Sequence, residues 1–321
     1  MHGTLDRPMP AAEPARSVDV GLPRFGYWHC FYGILKRELL RFLLQRGRFM
    51  SALVRPLVWL FIFAAGFRSV LGVSIIPPYE TYVLYEVYVT PGLMAMIQLF
   101  GGLQSSLSMV YDREVGSMRI LLTSPYPRWF LLTSKLFAGT AISVIQVYVY
   151  LAIAWWWEVE PPHIGYIMVL PALILSGLML GSIGLFLSSL IKQLENFASV
   201  MNFVIFPMFF TSSALYPLWR VREASLTLYY VCNFNPFTYC VELIRFTLHA
   251  KFDVPTSWDQ LVLMFTSMDK GNVFDPLSSD YPGFVAFLVV LLTTAVFLGL
   301  SILAYDPSRG LIGRRGGPEG A

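Results

Sequence analysis

Charge is the scarcest property of this sequence. Only 13% of its 321 residues are Asp, Glu, Lys or Arg, while 56% are hydrophobic. A soluble domain carries about 25% charged residues, so a single soluble globule is excluded. The same apolar content excludes a disordered chain. Cysteine is nearly absent: Cys30, Cys232 and Cys240 have no metal-ligand spacing, which excludes a zinc module and a disulfide-stapled framework. Whether Cys232 and Cys240 pair is left open. The net charge of +3 gives a nucleic-acid partner no basis.

What the chain has instead is long apolar runs. A hydrocarbon core of about 30 Å needs roughly 20 apolar residues in a helix. Six stretches qualify: Leu53–Leu71, Tyr88–Val110, Phe137–Trp157, Ile167–Ile191, Phe197–Leu218 and Pro282–Tyr305. They predict an all-α polytopic membrane protein with six transmembrane helices. The second run is diluted by Gln98, Gly101, Gly102, Gln104, Ser105, Ser106 and Ser108. Small and hydroxylated residues favour close helix contact in lipid, so this span is expected inside the bundle. The first 25 residues are polar and proline-rich without a signal-type apolar core, leaving insertion to the first span.

Lys and Arg set the orientation. Eight precede Ser51, four lie in the second connection (Arg113, Arg119, Arg128, Lys135), one in the fourth (Lys192) and three in the tail. The first and third connections have none. Both termini are therefore expected in the cytoplasm. Trp155, Trp156 and Trp157 fit an outer interfacial belt. Tyr79, Tyr82, Tyr85 and Tyr88 recur every three residues, open to an anchoring or a substrate-binding reading.

The spans are also nearly empty of ionisable groups. Arg55 and Arg68 sit near the ends of the first span, where they can snorkel. No carboxylate or histidine is available for a proton or sodium relay, which disfavours an ion-coupled transporter. The histidines (His2, His29, His163, His249) are scattered, so no nucleophile–base pair or metal site is indicated. A transporter built this way must receive its work from outside the membrane, yet the chain has no G-x-x-x-x-G-K-[ST] phosphate loop.

The second connection is where such work can enter. Asp112–Leu122 has helical character with acids at its start and an apolar ridge of Met118, Leu121 and Leu122; Ser124-Pro125 ends it. This suits docking into a partner's groove, with a structural re-entry turn as the alternative. The stretch Arg113-Glu114-x-Gly116-(x4)-Leu121-Leu122-x-Ser124-Pro125-(x2)-Arg128, followed by Lys135-Leu136, resembles the signature loop of the type-2 ABC exporter permeases. That class contains drug, lipo-oligosaccharide and polysaccharide exporters. Arg55-Pro56-Leu57-Val58-Trp59-Leu60 resembles the family's first-span opening. Ser213-Ala214-Leu215-Tyr216-Pro217-Leu218, Asn235-Pro236-Phe237-Thr238-Tyr239 and Glu242-x-x-Arg245 resemble its outer segment.

The resemblance implies a half-transporter in a bacterial cytoplasmic (inner) membrane, dimeric with itself or a related permease. Two ABC-type nucleotide-binding ATPase subunits would carry ATP and Mg, leaving this chain with no cofactor and no enzymatic activity. It implies a coupling helix over 112–124, with Glu114, Gly116, Met118, Arg119, Leu121, Leu122, Ser124, Pro125 and Arg128 as coupling residues. Residues 1–26 and 306–321 would be cytoplasmic tails, and 27–49 an amphipathic interfacial helix on membrane lipid. The six-span domain would cover 50–305. Residues 229–250 would form outer re-entrant helices before the last span, with Asn235 capping the second and Pro236 in its first turn. The Glu242–Arg245 pair is open to a gating and a local salt-bridge reading. Residues 251–281 read as an outer insertion that departs from the family pattern. The second and fifth spans would line a pathway for an amphipathic cargo, with Gln98, Gln104, Asn202 and Phe206 on it and Asn235, Pro236, Glu242 and Arg245 at its gate. Ordinary packing is the equal alternative for that lining. Two other functions stay open, a membrane scaffold and an importer permease.

Overall fold

A computed structural model describes residues 24–44, 46–64, 66, 85–114, 126–156, 159, 161–191, 193–249 and 283–304. Among the described residues all regular structure is helical. The helices are α1 (Arg24–Leu44), α2 (Arg46–Val58, continued by a π-helical turn Trp59–Ala64), α3 (Tyr85–Glu114), α4 (Arg128–Trp156) and α5 (Gly165–Leu190). They continue with α6 (Leu194–Phe210), α7 (Leu218–Ala224), α8 (Leu226–Phe234), α9 (Pro236–His249) and α10 (Gly283–Ala304).

Four of these, α3, α4, α5 and α10, are long and apolar enough to cross a membrane. The first and fifth expected spans are shorter here. Leu53–Ile62 forms the apolar part of the first, and its helix loosens into the π turn just after Pro56, which has no N–H to donate. The fifth stops at Phe210 rather than running to Leu218. Its 17 residues reach only about 26 Å at ~1.5 Å each. Thr211 leaves the helical region, and the chain turns through Ser212–Tyr216 before α7.

Helix α3 is the hub. It packs against α2, α4, α5, α6 and α9, and α5 in turn packs against α4, α9 and α10. Small residues set the closeness of the main contact. A Cβ on Gly102 would stand 2.8 Å from the Gly181 nitrogen of α5, closer than real atoms approach. Without hydrophobic drive between helices in lipid, this backbone proximity and its dispersion contacts supply the association. A second close approach joins Gly92 to Ala214, where a Cβ would meet backbone at 2.6 Å.

Cys232 and Cys240 are both free thiols. Cys240 faces the Met179 sulfur at 3.8 Å rather than Cys232. The outer insertion at 251–281 and the tails at 1–23 and 306–321 lie outside the described residues.

Candidate functional sites at the two ends of the bundle

At one end the helix–break–helix of α8 and α9 is built around Asn235. Its Oδ1 accepts from Phe237 N at 3.0 Å, capping α9 as the sequence predicts, with Pro236 at the first helical position. Its Nδ2 donates to Met208 O at 2.7 Å and to Thr211 O at 2.9 Å, so the same side chain ties the break to the end of α6.

Glu242 and Arg245 share a face of α9 and form an ion pair, with side chains 0% and 1% exposed. Arg245 also donates to Ser213 O at 2.7 Å and lies 4.3 Å from the centre of the Tyr88 ring. Tyr88 donates to the same carbonyl at 3.2 Å, and Tyr85 to Leu215 O at 3.2 Å. The pair thus organises the turn after α6 as well as its own helix. Two members of the tyrosine row bind protein carbonyls, while Tyr79 and Tyr82 lie outside the described residues.

At the other end Asp112 and Lys135 join the end of α3 to the start of α4. Their ion pair is 2.9 Å long, and their side chains are 8% and 5% exposed. Arg41 of α1 approaches Asp112 and Glu38, each at 4.0 Å, and Arg37 pairs with Glu38 at 2.9 Å. A few residues on, Tyr126 donates to Gly26 O at 2.8 Å, and Tyr27 stacks edge-on against Tyr126 and Phe130. Both flanks of the second connection are therefore fastened to α1.

Asp112, Arg113 and Glu114 belong to α3, so a helix expected to start at Asp112 has these residues as the last turn of a span instead. Gly116, Met118, Arg119, Leu121, Leu122, Ser124 and Pro125 lie outside the described residues. Arg128 opens α4, and Glu114 is exposed. The interfacial region expected at 27–49 is divided between α1 and the start of α2.

Sequence reasoning named Glu114 and its neighbours but missed Asp112, Lys135 and Tyr126 as a frame. The available signal was opposite charges at the adjoining ends of two consecutive spans.

The expected pathway residues separate. Gln98 is fully buried, donating to Leu173 O of α5 at 3.0 Å and accepting from Ser143 of α4 at 2.7 Å. It locks three helices together inside the protomer. Asn202 and Phe206 are exposed on α6. Gln104 lines a cleft beside α1 and α2.

Arg55 is exposed on α2, near the start of the apolar stretch Leu53–Ile62. Its guanidinium lies 3.7 Å from the centre of the Phe100 ring. At ~1.5 Å per residue Phe100 is about 18 Å along α3 from Asp112, close to mid-span.

Comparison with known proteins agrees with this architecture. Residues 29–249 match the ABC-2 type transporter family, and the chain belongs to that family. It is 26% identical over 264 residues to the putative transport permease ycf38 of Cyanophora paradoxa, covering 80% of this chain and 87% of that one. The Pyropia yezoensis ycf38 permease is 26% identical over 230 residues, covering 68% and 75%. The probable multidrug ABC transporter permease YbhR of Escherichia coli is 27% identical over 190 residues, covering 57% of this chain and 50% of its own. The chain is thus a membrane subunit of an ABC transporter, a family that works with an ATP-binding subunit.

Proposed function

We propose that this chain is the permease half of an ATP-driven exporter, working as a dimer in a bacterial cytoplasmic membrane with both termini inside. It would move an amphipathic molecule outward. ATP and Mg would be held by two separate nucleotide-binding subunits, which would draw together on binding ATP and push on the second connection. The coupling element would run from the end of α3 through Glu114, Arg119 and Leu122 to Ser124. The observation that supports this reading is the fastening of both flanks of that connection to α1, through Asp112–Lys135–Arg41 on one side and Tyr126–Gly26 on the other. A lever needs rooted ends, and the buried Asp112–Lys135 pair ties the end of α3 to the start of α4. Outer closure would fall to α8, α9 and the Glu242–Arg245 pair, and the exposed apolar face of α6 would meet the second permease.

The test is Glu114→Arg combined with Leu122→Asp in the full chain co-expressed with its ATPase. The expected result is loss of most of the co-purifying ATPase while the permease keeps its thermal midpoint. Full co-purification would defeat the docking assignment.

A further inference from the structure

A cleft opens between α1, α2, α3 and α4, near the end of the bundle that holds the Asp112–Lys135 pair. Its polar lining includes Arg41, Arg55, Gln104, Ser105, Ser108 and Gln146, beside the Phe100 ring. Two observations distinguish it from a packing defect. Arg55 pairs with no carboxylate among the described residues, and its neighbour is an aromatic face at 3.7 Å. Gln146 is 3% exposed, and its Oε1 accepts no hydrogen bond among the described residues.

These groups ask for complementary chemistry. The guanidinium asks for an anion, for which its planar fork suits a phosphate or carboxylate. The buried Gln146 oxygen asks for a donor such as a hydroxyl. The apolar ring beside Arg55, and a position partway along the spans, ask for an alkyl portion. We infer that this cleft binds the headgroup of an anionic amphiphile whose phosphate engages Arg55 and whose headgroup hydroxyl engages Gln146. Arg41 already approaches Asp112 and Glu38 at 4.0 Å each, so it shapes the rim while Arg55 supplies the unpaired charge. Such a ligand has two sources, a phosphoglycerol lipid resident in the bilayer and a glycosyl-phosphate amphiphile that is cargo.

The experiment uses the purified full chain in phosphatidylcholine nanodiscs, with retained lipid counted by native mass spectrometry. Wild type is expected to hold one phosphatidylglycerol in preference to phosphatidylcholine. Arg55→Gln should lower that retention about tenfold, the scale of one charge-assisted hydrogen bond. Gln146→Leu should weaken phosphatidylglycerol and leave phosphatidylmethanol, which has no headgroup hydroxyl, unchanged. If Arg55→Gln does not fold, the wild-type comparison of phosphatidylglycerol with phosphatidylmethanol decides: equal retention overturns the proposal. Undiminished retention by a folded Arg55→Gln also overturns it, as does displacement by inorganic phosphate at the concentration at which dodecyl phosphate displaces. Displacement of phosphatidylglycerol by undecyl glucosyl phosphate supports the site and assigns it to cargo; retention against that competitor supports it and assigns it to resident lipid. No ATPase enters the measurement, so failure here leaves the coupling proposal standing.

Discussion

Helix α10 is the most apolar of the four long helices, yet only 22% of its apolar stretch is buried; for α3, the least apolar, the share is 78%. In water that order would be reversed. In lipid, apolar side chains gain little by leaving the solvent, so the helix that meets protein is the one with small and hydrogen-bonding residues. The α3 sequence shows this directly: Gly102 permits backbone contact with α5, and Gln98 bonds two neighbours at once. Along α10 the buried residues reduce to one stripe of Gly283, Ala286, Val290, Thr294 and Ser301, at intervals of three, four and seven. Off that stripe Phe297, Leu298 and Ile302 still pack against the bundle, while large side chains such as Leu291, Leu292 and Val296 are exposed.

The largest expected effect comes from breaking the charge that leans on α3. Arg245→Met leaves Glu242 buried without its cation and removes the bond to Ser213 O. Loss of about 3–5 kcal/mol is expected, read as a collapsed thermal midpoint in detergent. The double variant Arg245→Met with Glu242→Leu should recover most of the loss. If both variants fall equally, the pair serves more than its own neutralisation, and the gating reading gains.

Much of this division could be read from the sequence. The dilution of the second run by glycines, serines and glutamines predicts an interior span, and α3 is that span. Asn235-Pro236 announces a break with a cap, because both residue types act locally on the first turn of the following helix. Glu242 and Arg245 are legible as a pair from their i,i+3 spacing. What was not legible depends on distant partners. The end of α6 at Phe210 is invisible in composition, since Thr211–Pro217 stays mostly apolar and small. The turn there is held by Tyr85, Tyr88 and Arg245 donating to its carbonyls. Asp112 looks like a helix start because an acid there suits the dipole. It is the end of α3, and its partner Lys135 is 23 residues away. The contact of Arg55 with the Phe100 ring is likewise invisible, because it is set by how α2 lies on α3.

A smaller effect sharpens the comparison within α3. Gln98→Leu removes two inter-helix bonds and leaves the Leu173 carbonyl and the Ser143 hydroxyl with one partner fewer. Interhelical hydrogen bonds in membranes average about 0.6 kcal/mol and reach about 1.7, so a loss of about 1 kcal/mol is expected. A fall of a few degrees in thermal midpoint with intact monodispersity would match it. No change at all would mean that glycine packing alone holds α3 in place.

The smallest effect belongs to α10. Leu292 is 68% exposed in the protomer, a position suited to contact with acyl chains. Leu292→Ala exchanges side chain for lipid tail at nearly the same dispersion energy, so the change should stay within about 0.5 kcal/mol. Ala286, fully buried on the stripe, is the matched control. Ala286→Leu pushes three more heavy atoms into the contact with its neighbours, and overpacking of that kind costs about 1–3 kcal/mol. Two substitutions between the same residue types, six positions apart and opposite in direction, should thus differ severalfold in their effect on the midpoint measured in nanodiscs. Equal effects would mean that the exposed face of α10 is itself covered in the assembled transporter, and that its apolarity answers to protein rather than to lipid.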